Sequence, residues 1–166
     1  MGTQGVLLAR EARMARQQQL LSTEGAVLVQ VSLNLPGGHA LYPWRELMAE
    51  AKGALTDMLA GLGLNVIAEE DVVDAIGPSS LLAVLGEGRS LKERCITLEE
   101  TALRGRLWDM DVLTPAGAMD RHSLGVRGRA CWVCGEEEAH VCRRLGRHLP
   151  EEVVSFAQRI ARGAGK

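Results

Sequence analysis

The sequence has few aromatic residues and few lysines. Only five of its 166 residues are Phe, Trp or Tyr, so Leu, Val, Ala and Met must fill the core. A chain of this length can bury one hydrophobic core, and we expect a single domain over residues 1–166. The formal net charge is −2, which gives no general attraction to nucleic acid.

Long apolar stretches are also missing. No run approaches the roughly 20 residues that a membrane-spanning helix needs, so we expect no membrane partner. The N-terminal segment has only a short apolar run and no small-residue cleavage site, which is not typical of a secretory signal. We therefore expect a cytoplasmic protein, in which the four cysteines are reduced thiols or metal ligands rather than disulfides.

Hydrophobic periodicity predicts an alternating order of strands and helices. The predicted segments are a helix over 9–21, a strand over 26–35, a helix over 42–62, a strand over 64–76, a turn at 77–79, a strand over 81–85, a helix over 90–101 capped by Ser90, and a strand over 105–114. The order strand, helix, strand, strand, helix, strand is the split βαβ pattern of a ferredoxin-like α+β sandwich. An extra N-terminal helix precedes this pattern, and a Cys-rich C-terminal tail follows it.

The last predicted strand carries two acidic residues. Alternation of side chains predicts two sets on opposite faces, with Trp108, Met110 and Val112 in the core and Leu107, Asp109, Asp111 and Leu113 on the other side. Asp109 and Asp111 would then stand about 7 Å apart. Magnesium is held by one or two carboxylates together with substrate phosphates, so this pair is a candidate Mg²⁺ site.

Two simpler interpretations remain open for this region. A D-x-D pair can lie on a half-solvated strand without a ligand, although Asp is disfavoured in strands. Eight arginines and no lysine occur between Arg104 and Arg147. The guanidinium fork suits phosphate oxygens, yet the excess could also reflect a general preference for Arg over Lys.

The tail contains closely spaced cysteines and histidines. The possible ligands are Cys131, Cys134, His140, Cys142 and His148. A structural Zn²⁺ site formed by Cys131, Cys134, Cys142 and His148 is chemically sensible, because three thiolates and one imidazole satisfy a tetrahedral zinc ion. The alternative is a group of small buried thiols with surface histidines.

Four segments together resemble one enzyme family. They are Leu7-Leu8-Ala9-Arg10-Glu11-Ala12-Arg13 with Gln17, Asn34-Leu35-Pro36-Gly37, Gly105-Arg106-Leu107-Trp108-Asp109-Met110-Asp111-Val112 with 113–117, and Arg129-Ala130-Cys131-Trp132-Val133-Cys134 with Ala139, Cys142, Arg143 and His148. Over residues 6–150 the chain resembles holo-citrate lyase synthase, also called apo-citrate lyase phosphoribosyl-dephospho-CoA transferase. His39 and Ala40 stand where this family often has a lysine, and Asp120 stands where it often has Ser.

The resemblance implies a Mg²⁺-dependent nucleotidyltransferase. Its donor would be triphosphoribosyl-dephospho-CoA, its acceptor a serine of the citrate lyase acyl-carrier (gamma) subunit, and its leaving group diphosphate. Asp109 and Asp111 would hold Mg²⁺ on the triphosphate. Arg106 and Arg129 would bind phosphate oxygens, with Arg10, Arg13 and Arg121 as further candidates.

Two other functions remain possible from the sequence. The element order and the D-x-D strand are also similar to hydroxymethyldihydropterin pyrophosphokinase, which would make the chain a pterin-type pyrophosphokinase. A zinc-stabilised, non-enzymatic module that binds an acidic partner would explain the arginines but not the paired aspartates.

Overall fold

The computed structural model describes residues 3–163, so the predicted domain of 1–166 extends slightly beyond it at both ends. The helices are Thr3–Leu21 (α1), Trp44–Gly61 (α2), Gly88–Thr101 (α3), Ala139–Arg144 (α4) and Pro150–Ala161 (α5). The strands are Ala26–Leu33 (β1), Val66–Asp74 (β2), Gly77–Leu85 (β3), Trp108–Thr114 (β4) and Gly117–Met119 (β5). The predicted α+β class is confirmed.

All the strands form one antiparallel sheet in the order β2-β3-β1-β4-β5. The predicted succession of strand, helix, strand, strand, helix, strand is present from β1 to β4. The short strand β5 was not predicted. It pairs with β4 only from Val112 to Thr114, so in the part of the chain that the structure describes the first half of β4 has no strand neighbour on that side.

The two faces of the sheet are covered differently. The main core lies on the face that packs against α2, α3 and α5, and its centre is aliphatic, with fully buried Val29, Leu55 and Met110. On the opposite face, Leu20 and Leu21 at the end of α1 pack against a smaller buried group of Leu28, Leu81 and Ala83. Helix α1 therefore covers only part of the face that carries Asp109 and Asp111.

Several predicted boundaries were wrong for local reasons. Helix α3 begins at Gly88 and not at Ser90, because the Glu87 carboxylate accepts hydrogen bonds from the N–H groups of Arg89 and Ser90. Residues 77–79 belong to β3 and not to a turn. The chain reverses at 75–76, where the Asp74 carboxylate accepts a hydrogen bond from the Ile76 N–H and Gly77 has φ 120°.

The start of β4 also differs from the prediction. Residues Gly105–Leu107 form a 3₁₀ turn, and Leu107 is fully buried in the main core rather than facing the same way as the aspartates. Gly105 permits this turn, because a Cβ there would lie 2.7 Å from the backbone oxygens of Leu98 and Glu99. The alternation predicted for the strand therefore holds only from Trp108 onward.

Within residues 3–163, no helix is both long and apolar enough to cross a membrane.

Candidate active site on strand β4

Asp109 and Asp111 lie on the sheet face opposite the main core, as the alternation predicted. Their cross-strand neighbours on β1 are Ser32 and Gln30 respectively. The side chains remain 44% and 48% exposed, so both carboxylates can reach a ligand. Helix α1 approaches this face through Gln17, whose amide donates to Gln30 Oε1 at 2.7 Å.

Charged side chains occupy the edge of β4 where β5 has not yet begun. Lys92 Nζ donates to the Met110 carbonyl at 2.7 Å, and the Met110 N–H donates to Glu99 Oε1 at 2.8 Å. The Trp108 carbonyl, two residues nearer the start of β4 on the same edge, accepts a 2.8 Å hydrogen bond from Arg129. Side chains from α3 and the tail thus replace a neighbouring strand, which fixes the backbone between the two aspartates.

Lys92 and Glu99 were not identified from the sequence. They lie seven residues apart on the buried side of α3 and are only 5% and 3% exposed. Lys92 Nζ is 3.8 Å from Asp111 Oδ1, which makes it a further charged group of the site. A signal was available, because two charged residues flank Cys95 on the side of the helix that the periodicity assigns to the core.

Arg129 connects this edge to the carboxylate face. Its Nη2 lies 2.8 Å from Asp109 Oδ1 and 2.7 Å from Glu99 Oε1. Glu99 also accepts from Arg121 at 2.9 Å, and the other terminal nitrogen of Arg121 lies 2.6 Å from Glu100. Two glutamates of α3 therefore hold two of the predicted arginines near Asp109.

The electrostatic balance at Asp111 favours an added positive charge. Burial raises the pKa of Asp111, and the negative charge of Asp109 raises it further. The positive charges of Lys92 and Arg129 oppose this effect without cancelling it. Either a proton or a metal cation would relieve the repulsion between the two carboxylates.

Beside Arg129 a cavity of about 340 Å³ opens between α3 and the tail. Its charged lining consists of two glutamates, Glu99 and Glu100, and a larger number of arginines, Arg106, Arg121, Arg127 and Arg129, so the cavity is basic on balance. Arg106 is oriented by a 2.7 Å hydrogen bond from Nη2 to the Ala130 carbonyl, and burial lowers its pKa. Three of the predicted phosphate-binding arginines, Arg106, Arg121 and Arg129, are thus brought to one place.

The other two predicted arginines lie on α1. Arg13 donates to both carboxylate oxygens of Asp74 and to the Gly77 carbonyl, at 2.7–2.8 Å. These bonds attach α1 to the β2–β3 hairpin. Arg10 is exposed on the same helix. Arg104, which flanks the strand, donates to Glu46 and Glu50 of α2 and to the Ala161 carbonyl, so it does not face the aspartates.

The predicted Cys₃His group converges in space. One ligand atom from each of Cys131, Cys134, Cys142 and His148 lies within 4.8 Å of all the others, an arrangement that could hold a metal such as zinc. His140, the fifth candidate in the sequence, instead lies 3.1 Å from Glu138.

The thiols of this cluster differ in their ease of deprotonation. Hydrogen bonds from the backbone of Glu137 and Glu136 lower the pKa of Cys134 to about 6. Burial raises the pKa of Cys142 to about 11, and the neighbouring thiols add to this.

The site places two carboxylates on the open face of β4, next to a cavity with an excess of arginines. Carboxylates and arginines at this spacing suit a metal-bound polyphosphate, in which the cation and the guanidinium groups contact different phosphate oxygens. With such a ligand bound, the cation and the guanidinium groups would lower the cost of charge that develops on a phosphate leaving group.

Comparisons with known proteins match nearly the whole chain. The sequence model of the family described as apo-citrate lyase phosphoribosyl-dephospho-CoA transferase matches residues 2–163. A protein of that name from Escherichia coli O139:H28 is 33% identical over 152 residues, which cover 90% of this chain and 82% of the relative. Protein CitXG from Haemophilus influenzae is 32% identical over 164 residues, or 95% of this chain and 34% of that longer protein. The resemblance identified in the sequence is thereby confirmed.

Proposed function

The chain belongs to the apo-citrate lyase phosphoribosyl-dephospho-CoA transferase family, and we propose that it performs this transfer in the cytoplasm. The donor would be triphosphoribosyl-dephospho-CoA and the acceptor a serine on the acyl-carrier subunit of citrate lyase. The serine Oγ forms a bond to the phosphorus next to the ribose, and the bond from that phosphorus to diphosphate breaks. The hydroxyl proton passes to a base or to solvent.

The observation that carries the proposal is the position of Asp109 and Asp111. They lie on one open face of β4, and Arg129 joins Asp109 to the basic cavity. Asp109 and Asp111 would hold Mg²⁺, which would neutralise charge on the triphosphate. The raised pKa of Asp111 supports this assignment, because a bound cation would relieve the repulsion between the Asp111 and Asp109 carboxylates.

The arginines would bind the remaining phosphate oxygens. Arg106, Arg121 and Arg129 line the cavity beside the carboxylates. Arg121 and Arg129 already bind protein oxygens, so they would use the N–H donors that these bonds leave over for phosphate oxygens. Lys92, held against the Met110 carbonyl, would keep the strand and Asp111 in position. Arg13 would have a structural role because its donors are engaged by Asp74 and Gly77, and exposed Arg10 would contact the donor or the carrier subunit.

We further propose that Cys131, Cys134, Cys142 and His148 hold a structural zinc ion. The cluster supplies three sulfur ligands and one nitrogen ligand. The proposed transfer needs no thiol nucleophile, since the serine of the carrier is the attacking group. Zinc would therefore support the fold of the tail and take no part in the chemical step.

The direct test is intact-mass spectrometry of the purified apo-carrier subunit. The carrier would be incubated with this protein, triphosphoribosyl-dephospho-CoA and Mg²⁺. We expect a mass gain equal to the phosphoribosyl-dephospho-CoA group, located on one serine, and release of diphosphate. An unchanged carrier mass under conditions where a characterised relative modifies it would contradict the proposal.

A pterin-type pyrophosphokinase is the second candidate, favoured by one observation about the fold. The order β2-β3-β1-β4 with two crossing helices is the arrangement expected for a ferredoxin-like sheet, which we infer as the architecture. ATP-dependent pyrophosphorylation of a hydroxymethyl pterin, with no modification of the carrier, would favour this candidate. Absence of both reactions would leave the non-enzymatic binding module.

A further inference from the structure

The Cys₃His cluster has the spacing of an ion-binding site. The sulfurs of Cys134 and Cys142 are 3.7 Å apart, close to the separation of about 3.8 Å that a tetrahedral ion with metal–sulfur bonds of about 2.3 Å produces. Cys131 and Cys142 are buried, and within residues 3–163 the buried Nε2 of His148 has no hydrogen-bond partner. A bound cation would satisfy that nitrogen and bring the sulfurs together.

The cluster is connected directly to the basic cavity. The Cys131 N–H donates to the Glu137 carbonyl at 2.7 Å, and the Ala139 N–H donates to the Arg129 carbonyl at 2.8 Å. These bonds attach the backbone of 129–131 to the segment that leads into α4, which carries Cys142. Ala130, between them, bridges to Glu138. The position of residues 129–131 thus depends on how the ligand segments are held together.

The same backbone orients two arginines. Arg129 extends from this segment to Asp109, Glu99 and the Trp108 carbonyl. Arg106 comes from the turn before β4 and is held by the Ala130 carbonyl. Loosening 129–131 would therefore displace one guanidinium and remove the acceptor of the other.

We propose that a metal ion in the Cys131–Cys134–Cys142–His148 cluster fixes residues 129–131 and thereby positions Arg129 and Arg106 for the phosphate chain. The inference rests on the proposed function for the identity of the ligand, but the metal site does not depend on it. Arg129 and Arg106 would contact phosphate, and the ion would act only through them. Removal of the ion would displace both arginines and so weaken phosphate binding. Asp109 would lose its Arg129 partner, but both aspartates would keep their places on β4.

The metal site can be tested without any activity measurement. Elemental analysis should find about one zinc per chain, and Co²⁺ substitution should give the absorption bands of a tetrahedral thiolate complex. Cys142→Ser should lose the zinc and the cobalt bands, whereas Cys95→Ala should keep both, because Cys95 is a buried thiol in α3 outside the cluster. A wild-type protein that binds neither Zn²⁺ nor Co²⁺ would overturn the proposal.

The effect of the metal ion on phosphate binding is tested by titrating inorganic triphosphate, in the presence of Mg²⁺, into zinc-loaded and chelator-stripped wild-type protein. We expect stripping to weaken binding about 10-fold or more, the effect of losing a charge-assisted hydrogen bond. The Arg106→Ala/Arg129→Ala variant should show this loss already, and stripping it should change nothing further. If stripping the zinc weakened triphosphate binding equally in the wild type and in the double variant, the ion would not act through Arg106 and Arg129, and the proposal would be contradicted.

The outcomes separate the two proposals. If zinc-loaded wild-type protein does not bind triphosphate, the proposed function fails, and so does the positioning of Arg129 and Arg106 for phosphate. The metal site is then decided separately by zinc content and cobalt absorption. Circular dichroism of the stripped protein shows whether the sheet stays folded. If Cys142→Ser does not fold, reversible stripping and reloading of the wild-type chain gives the same comparison.

Discussion

Two arginine–aspartate pairs in this chain look alike as contacts but differ in their surroundings. Arg13 and Asp74 form a bidentate pair whose side chains are 12% and 18% exposed, and the guanidinium also binds the Gly77 carbonyl. Arg129 and Asp109 form a pair whose side chains are 24% and 44% exposed. A second carboxylate, Asp111, lies on the same face as Asp109, and a basic cavity lies on the other side of Arg129.

This difference in surroundings indicates that the Arg13–Asp74 pair attaches one part of the fold to another, whereas the Arg129–Asp109 pair belongs to a candidate binding site. Asp74 accepts from Arg13 and from the Ile76 backbone, so both its oxygens are used in joining α1 to the β2–β3 hairpin. Asp109 has a charged partner on one oxygen and remains open to ligand. We expect the first pair to contribute to stability and the second to phosphate chemistry.

The largest expected difference in transfer rate is between variants in which the aspartate of one pair or of the other is neutralised. Asp109→Asn should lower the rate of transfer to the carrier by at least about 100-fold, because metal binding would contribute several kcal/mol to the transition state. Asp74→Asn should leave the rate of transfer within about threefold and lower the thermal midpoint instead. Intact-mass time courses and thermal unfolding of both variants check this, and equal loss of activity would remove the distinction.

Replacing the arginine of each pair should show the same contrast between activity and stability, with smaller effects on activity. Arg129→Ala should raise the KM for the donor about 10-fold or more, because a charge-assisted bond to phosphate is lost. Arg13→Ala should lower the free energy of unfolding by about 1–3 kcal/mol, since the half-buried Asp74 loses its partner. Steady-state kinetics and urea unfolding distinguish them, and a kinetic defect in Arg13→Ala with normal stability would place that arginine at the site.

A glycine comparison tests how the aspartates acquire their orientation. Gly105→Ala should destabilise the protein by about 1–3 kcal/mol, because the new Cβ meets backbone oxygens at 2.7 Å and forces the turn before β4 to move. Among residues 3–163, and apart from its chain neighbours and its own helix backbone, nothing lies within 4 Å of the Cβ position of Gly53 in α2, so Gly53→Ala should stabilise by up to about 1 kcal/mol. Urea unfolding measures both, and a neutral Gly105→Ala would mean that this close approach is not required.

The smallest expected effect is a change in the titration of Asp111. In metal-free protein the pKa of the Asp111 carboxyl should lie above the ordinary Asp value. Relative to wild type, this pKa should be lower in Asp109→Asn and higher in Lys92→Met. Because the folded pKa is the higher one, this group should increase stability as pH falls from the folded pKa to the unfolded value. Carboxyl ¹³C NMR follows the titration, and a midpoint at or below the ordinary value would contradict this account of the charges.

Local patterns in the sequence were sufficient for part of this site. Strand alternation placed Asp109 and Asp111 on one face, and the spacing of Cys131, Cys134, Cys142 and His148 indicated the ligand cluster that the structure brings together. Both patterns are short-range, so they depend on one strand or one segment. The element order from β1 to β4 followed in the same way from hydrophobic periodicity.

The remaining features depend on contacts between distant segments. Arg13 and Asp74 are 61 residues apart, so nothing near Arg13 distinguishes its structural pair from a phosphate contact. Lys92 and Glu99 become part of the site only because β5 stops at Met119, which leaves the edge at Met110 for side chains to fill. Side chains that bind a strand edge in place of a neighbouring strand are determined by the three-dimensional packing, so hydrophobic periodicity does not predict them.

The central claim is that Asp109 and Asp111 hold a divalent cation on a phosphate chain. The most direct measurement is a crystal structure of the wild-type protein with Mn²⁺ and inorganic triphosphate, recorded so that manganese gives anomalous scattering. We predict a manganese peak about 2 Å from carboxylate oxygens of Asp109 and Asp111, with phosphate oxygens within hydrogen-bond distance of Arg129. Triphosphate bound with manganese away from both aspartates would contradict the account.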